Sequence, residues 1–358
     1  MIKEFGWSDA LQAAFESHAA AGLSPARVVA HHRGLWRLVT DRGDCAGRLS
    51  GRFAAEAQAG EHPVVGDWLA IDRVDGGDGD ALIHALMPRK SAFARRAAGG
   101  VGVQIVAANV DIAFLVAALN NDLNPRRLER YLVAARDSGA APVVVLTKVD
   151  LSSDPDAERQ AVVDIAAGAP VVTLSALTGE GVEALDRWLL PGVTAALLGS
   201  SGAGKSTLLN ALAGKELMST GAVREADDRG RHTTTHRELF RLAGGALLID
   251  TPGMRELGLV ADEAALDESF ADVTALIPVC RFSDCTHASE PGCAILAALA
   301  DGSLSAERWQ SYLKLQRELA FVVRKEDPAA EAANKVKWKQ IHKTQRAKYK
   351  HRRDEEGG

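Results

Sequence analysis

Cysteine is scarce, four residues in a chain of 358, which is too few for a disulfide-stapled scaffold. Long apolar runs are missing as well. The longest, Ile112 to Leu119 and Cys293 to Ala300, fall far short of the roughly 20 residues that a membrane-spanning helix needs. The opening Met-Ile-Lys-Glu-Phe-Gly-Trp has no apolar signal core, so the expected address is the cytoplasm, with no membrane partner. With 47% hydrophobic and 25% charged residues, wholesale disorder and collagen-like repetition are excluded too. A folded protein of two or three domains remains.

Acidic residues are absent from one stretch in particular. Lys335 to Arg353 holds nine Lys or Arg and no Asp or Glu, while the whole chain carries −5, which leaves −14 for the remainder. So local a basic arm seeks a polyanion; a solvated tail is the other reading. Trp338, His342, Tyr349 and His351 interleave with its cations and suit stacking on exposed RNA bases.

Along the chain the texture changes twice. After a helical opening, Ser8 to Ala21, the apolar stretches Val28 to Ala30, Leu35 to Val39 and Trp68 to Ile71 are short and broken by Gly and Asp, as in a small β-barrel. Turns are expected at Asp41–Asp44 and Asp75–Asp80. From Val110 the apolar runs alternate with helical segments, which predicts a parallel sheet covered by helices. Its strands are expected at Val110–Leu119, Val143–Leu146, Val171–Leu174, Val193–Leu198 and Ala246–Ile249. The rest is helical, including Ser305 to Val323. The expected division is a barrel domain over 1–100, an α/β domain over 101–262, and a helical domain with the basic arm over 263–358.

Gly199-Ser200-Ser201-Gly202-Ala203-Gly204-Lys205-Ser206 fits the Gly-x4-Gly-Lys-Ser/Thr phosphate loop, between an apolar strand and a helix that begins around Thr207. Its glycines let successive N–H groups face an anion at a helix N-terminus. Lys205 is expected to reach the β- and γ-phosphates, and the Ser206 hydroxyl to bind Mg²⁺. Base choice is read elsewhere. Thr147-Lys148-Val149-Asp150 resembles the Asn/Thr-Lys-x-Asp element of GTPases, whose carboxylate accepts from guanine N1 and N2, with the Lys148 stem along the base. Ser175-Ala176-Leu177 resembles the loop whose backbone N–H meets guanine O6. Asp250-Thr-Pro-Gly253 matches Asp-x-x-Gly, 45 residues after Lys205: Asp250 for Mg²⁺, Gly253 for the γ-phosphate. Within Gly230-Arg-His-Thr-Thr-Thr235 a threonine, Thr234 being the choice, completes the Mg²⁺ shell. All these loops follow strands, where ligands of open α/β sheets bind.

Their order is rotated, because Asp150 and Ser175 precede Gly199. On these motifs, on Val65-Gly-Asp67, on the stretch Gln104 to Asp111 and on a Cys-x4-Cys-x-His-x5-Cys cluster, the chain resembles the circularly permuted RsgA (YjeQ) GTPases along nearly its whole length. The resemblance implies an oligonucleotide-binding barrel, a permuted P-loop GTPase domain and a zinc-binding helical domain. It also implies GTP hydrolysis stimulated by the small ribosomal subunit, late in that subunit's maturation. GTP or GDP, Mg²⁺ and one structural Zn²⁺ are the expected ligands, the small subunit and its rRNA the partners, and a monomer the expected state. Two departures stand out. Thr147 replaces the family's usual Asn, which predicts one hydrogen bond fewer to the phosphate loop. Met254 follows Gly253 where many GTPases carry a water-orienting Gln, which leaves His232 either to place the water or to contact RNA.

Cys280, Cys285, His287 and Cys293 lie within 14 residues and supply the four ligands of a closed tetrahedral zinc site, structural because no position remains for water. In the barrel, Arg33, Arg37, Arg48 and Arg52 read either as phosphate contacts or as solvated surface. Three rivals were weighed. Asp150 counts against an ATP-using protein, and the complete ligand set against a metal hydrolase; a nucleotide-gated RNA-binding scaffold with little hydrolysis is the alternative that Met254 and Thr147 leave open.

Overall fold

The structure, a computed structural model, describes residues 1–32, 34–58, 60–72, 80–96, 103–119, 123–215, 238–250 and 263–326. Helix α1 (Asp9–Ala20) opens it, capped by the Ser8 hydroxyl, which accepts from the Leu11 N–H. Five strands follow: β1 (Ser24–His32), β2 (Leu35–Thr40), β3 (Gly43–Leu49), β4 (Trp68–Ile71) and β5 (Ala81–Leu86), with α2 (Gly51–Glu56) after β3. They pair in the order β1-β2-β3-β5-β4, and β4 returns to β1. The barrel is closed. Closure satisfies the edge groups of so short a set of strands, and Val28, Leu38, Leu69, Ile71 and Ile83 are fully buried in its core.

A hairpin, β6 (Ala92–Arg96) with β7 (Val103–Ala108), leads into the α/β part. There the chain runs β8 (Ile112–Ala118), α3 (Pro125–Asp137), β9 (Ala141–Thr147), α4 (Pro155–Ile165), β10 (Val171–Thr173), β11 (Thr194–Leu198), α5 (Lys205–Ala213), β12 (Glu238–Arg241) and β13 (Leu247–Asp250). Phe114 to Val116, Val143 to Leu146 and Ala195 to Leu198 are buried without a break, as strands covered on both faces must be. Their order in the sheet is β10-β9-β8-β11-β13-β12. All are parallel except β12, so five carboxyl ends share one edge.

Two features lie outside the expectation from sequence. Strand β12 pairs not only with β13 but also with β1, Ala30 opposite Glu238, so that barrel and α/β part form one eleven-stranded sheet. At the same seam Arg27 is buried. Its guanidinium donates to the carbonyls of Phe5, Gly66 and Asn109 and to the Thr194 hydroxyl (2.9 Å). Burial lowers its pKa to about 10, against the pull of Asp111 and Asp67, so it stays charged at neutral pH. Asp111 in turn exchanges backbone and side-chain bonds of 2.8 Å with Thr194. The stretches around Gly66 and Asn109 are therefore the joint between the two parts.

The C-terminal helices are α6 (Glu263–Ser269), α7 (Ala271–Thr274), α8 (Ala294–Asp301) and α9 (Ala306–Glu326). Helix α3 belongs to two cores because its apolar residues occupy two stripes. Leu128, Tyr131, Leu132 and Ala135, at helical spacing, face the sheet, whereas Val133 packs with Leu266, Phe270, Val273 and Tyr312. Beside that contact, Glu129 and Arg308 are buried and paired at 2.6 Å; Arg308 also grips Asp272 (2.7 Å) and the Ser269 carbonyl (2.8 Å). Among the described residues, no helix is long and apolar enough to cross a membrane.

Removing one partner of a buried ion pair strands the other without water. Arg308→Ala is therefore expected to cost about 3–5 kcal/mol, whereas Glu129→Gln with Arg308→Met costs less. Thermal melts of the single and double variants measure the difference.

Candidate nucleotide site and metal centre

The phosphate loop lies between β11 and α5, and its conformation depends on missing side chains. A Cβ on Gly199 would stand 2.2 Å from the Val116 carbonyl oxygen of the neighbouring strand. Gly204, at φ +88°, N-caps α5 without a side-chain hydrogen bond, whereas Ser8, Ser50, Asn124, Asp154 and Cys293 cap α1 to α4 and α8 through side-chain atoms. No side chain of the capping residue competes at this helix N-terminus, where the dipole favours an anion. Lys205 Nζ donates to the carbonyls of Gly199 (2.8 Å) and Ser200, which folds the ammonium back over the loop. Ser200, Lys205, Ser206 and Thr207 are half-buried, Ser201 and Gly202 exposed, and Ala203 buried.

Thr147 is in contact with the phosphate loop. Its hydroxyl, fully inside the protein, donates to the Ala203 carbonyl at 2.7 Å, so the residue that ends β9 still tethers the phosphate loop. Lys148 follows at φ 62°, a left-handed turn that swings the chain into the short 3₁₀ segment Val149–Leu151 and leaves Asp150 exposed at its surface. The neighbouring loop is tied to it by the Val149 N–H on the Leu174 carbonyl (3.3 Å). Ser175 is buried and its hydroxyl accepts from the Thr178 N–H (3.3 Å); Ala176 is half-buried. Parallel pairing of β9 and β11 to β8 brings Asp150 and Lys205 to the same edge of the sheet.

Asp250 ends β13, which pairs with the phosphate-loop strand β11. It and Ser206 offer hard oxygen donors at adjacent strand ends, the donor type that suits Mg²⁺. His232, Thr234 and the rest of Gly230–Thr235, as well as Gly253, Met254, Arg33 and the arm from Lys335 to Arg353, lie outside the described residues. The other barrel arginines have acidic partners: Arg37 with Glu238, Arg48 with Asp80, and Arg52 with Glu56 (2.9 Å). Sequence reading missed β12 altogether. The cue was there, a Gly244-Gly245 pair between two apolar runs, as in a hairpin.

Sequence comparison with known proteins gives the lineage. The family model described as RsgA GTPase matches residues 86–260, and one described as 50S ribosome-binding GTPase matches residues 194–335. The small ribosomal subunit biogenesis GTPase RsgA of Opitutus terrae is 50% identical over 357 residues, 97% of each chain. The protein of the same name in Syntrophotalea carbinolica is 44% identical over 349 residues, 95% of each. This chain belongs to the RsgA GTPase family. Among solved structures, YjeQ from Thermotoga maritima superimposes with a TM-score of 0.62 at 27% identity, over 83% of this chain and 99% of that one. YloQ, a circularly permuted GTPase, shares the fold with a TM-score of 0.58 at 24% identity, over 83% and 95%. As an RsgA GTPase the chain binds GTP and GDP and hydrolyses GTP, on a circularly permuted P-loop domain that follows an N-terminal barrel.

The metal cluster is assembled as the spacing suggested. The ligand atoms of Cys280, Cys285, His287 and Cys293 all lie within 4.8 Å of one another. Measured edges are 3.6 Å from Cys280 Sγ to His287 Nδ1, 3.9 Å from Cys280 Sγ to Cys293 Sγ, and 3.4 Å from His287 Nδ1 to Cys293 Sγ. A tetrahedron with zinc–ligand bonds of about 2.0–2.3 Å has edges of about 3.5–3.8 Å, so the residues fit zinc. N–H groups of Ala294 and Leu296 point at the sulfurs of Cys280 and Cys293, at 3.4 and 3.5 Å. Glu290 organises the loop by accepting from the Thr286 hydroxyl and from the N–H groups of Ser289, Thr286 and Ala288. The first three of these bonds hold its carboxyl far below the usual carboxylate range.

Two measurements check the site. Thr147→Val leaves the Ala203 carbonyl short of a donor, at about 1–3 kcal/mol; GDP affinity, read with a fluorescent nucleotide, is expected to fall about 5- to 100-fold, and Thr147→Ser to keep it. Cys293→Ser is expected to take metal content from about one zinc per chain to none by elemental analysis, and to lower the melting temperature by several degrees.

Proposed function

We infer that this chain is a GTPase that binds the small ribosomal subunit in the cytoplasm, as a monomer, and acts late in its maturation, hydrolysing GTP faster when bound there. The single observation that carries this is the full-length match at 50% identity to an RsgA named for small-subunit biogenesis, together with a nucleotide loop and guanine loop at one sheet edge. The proposed division of labour is a barrel over 1–100 and a basic arm within 263–358 for rRNA, with the α/β part, 101–262, as the engine. Binding through the arm falls steeply with salt, whereas the barrel arginines, paired as they are, exchange an internal carboxylate for a phosphate when RNA arrives.

Asp150 reads the guanine N1 and N2 donors, the Lys148 stem lines the base, and Ser175 and Ala176 shape the loop around O6. Residues Gly199 to Thr207 hold the phosphates, with Lys205 neutralising the β- and γ-groups. Mg²⁺ would be held by Ser206, Thr234 and Asp250 and would offset phosphate charge there; Gly253 N–H senses the γ-phosphate. His232 places the attacking water in our reading, since Met254 has no group to do so. Zinc holds the C-terminal helices together and takes no part in the chemistry.

The deciding experiment compares GTP turnover of the free protein and of the protein with isolated small subunits. At least tenfold stimulation is expected; equal and negligible rates would favour a nucleotide-gated RNA-binding scaffold. His232→Ala is expected to cut the stimulated rate about 10²-fold or more with GTP affinity unchanged, and an intact rate returns His232 to the role of an RNA contact. Asp150→Asn is expected to weaken GTP at least tenfold and to improve binding of xanthosine triphosphate, whose C2 carbonyl accepts what the amide donates.

A further inference from the structure

Four strands place four residues in one row. Arg37 on β2 is the cross-strand partner of Ala30 on β1, Ala30 of Glu238 on β12, and Glu238 of Asp250 on β13. Directly opposed residues of antiparallel strands point to the same face, with Cβ atoms about 4.5–5.5 Å apart. The row therefore runs from the barrel, across the seam, to the carboxylate that ends the strand beside the phosphate loop. Ala30 is fully buried and has nothing beyond Cβ, so Arg37 reaches over it and pairs with the Glu238 carboxylate. Glu238 in its turn stands directly opposite Asp250.

Like charges directly opposed across a sheet repel, and here a cation from the barrel cancels one of them. The side chains of Arg37 and Glu238 are 48% and 32% exposed, so a polyanion in solution has access to the guanidinium.

We propose that Arg37 sets the affinity of the nucleotide site for its divalent cation by neutralising Glu238, and that a polyanion on the barrel tightens that affinity by drawing Arg37 away. Arg37 and Glu238 are positioning residues that act through Asp250. With the pair intact, Glu238 adds little to the potential at Asp250. With Arg37 engaged elsewhere, an uncompensated anion stands one strand away and attracts a cation there. By linkage, a bound cation then favours the polyanion to the same degree. The proposal rests on the cation role of Asp250 and, for its second half, on RNA binding by the barrel.

The test uses the full chain and a fluorescent GDP, and reads the Mg²⁺ concentration that gives half of the tightening of nucleotide binding. Arg37→Gln is expected to lower that midpoint about threefold and Glu238→Gln to raise it about threefold, the modest size reflecting exposure. The double variant is expected to return close to the parent, and Arg37→Lys to match it. A purely structural role for the pair would shift both single variants the same way; that result, or no shift in either, overturns the proposal. If Asp250→Asn leaves the midpoint unchanged, Asp250 is no cation ligand and the proposal falls with that assignment. In a second arm, poly(U) RNA is expected to move the parent as Arg37→Gln does and to leave Arg37→Gln unmoved. RNA that binds, by fluorescence anisotropy, without moving the midpoint overturns the polyanion half. RNA that does not bind overturns the RNA-binding reading of the barrel instead, and the variant pair alone then decides the electrostatic half.

Discussion

Parallel pairing among strands that the chain visits out of order builds the nucleotide site. Strand β11 carries the phosphate loop and lies between β8 and β13, while β9 and β10 extend the sheet beyond β8. Because all of these run the same way, the loops holding Asp150, Ser175, Lys205 and Asp250 open at one edge. Had β9 run antiparallel, its seven residues would carry Asp150 about 20 Å away, and no side chain spans that distance. The pairing depends on which strands lie side by side, not on the order in which they are made. Rotation of the motifs thus costs the site nothing, and short connections suffice because compact domains keep their termini close.

A sheet that continues into the barrel needs a joint, and this one is polar. Arg27 satisfies three carbonyls and a hydroxyl, and Arg89 pairs at 2.7 Å with Asp67, whose carboxyl burial pushes up. Apolar packing alone would let two elements slide over each other; directional bonds to fixed carbonyls do not. The Val65–Asp67 and Gln104–Asp111 stretches meet here, with the Asn109 amide on the Gly66 carbonyl at 3.1 Å. Their role is therefore fixed orientation of the two parts, since none of these residues stands at the nucleotide edge.

What the sequence made legible is chemistry carried by neighbours in the chain. A phosphate loop needs its glycines and lysine within eight residues, and a zinc knuckle needs its ligands within reach of one ion, so spacing revealed both. The central parallel strands of the α/β part were readable for a related reason: buried on two faces, they are apolar without interruption. Contacts between distant segments left no such trace. Glu129 and Arg308, 179 residues apart, form a buried pair that no local pattern announces. Arg48 and Arg52 read either as phosphate contacts or as solvated surface, and both have acidic partners. The bond from Thr147 to the loop likewise depends on how closely β9 approaches the phosphate loop, which Gly204 permits: a Cβ there would stand 3.3 Å from the Thr147 oxygen.

The C-terminal helices are coupled to the site by a different material. Helix α3 lines a small cavity with Ser200 through Asn124 and Arg127, while Val133 and Glu129, on another of its faces, are embedded in the C-terminal core. A close-packed helix does not bend at such contacts but moves as a unit. Helix α3 is thus shared between the surroundings of the phosphate loop and the C-terminal core. The barrel is reached through a row of charges on a shared sheet, and the C-terminal part through a shared helix. The first connection is electrostatic and weakens with salt, whereas the second is packing that salt leaves alone.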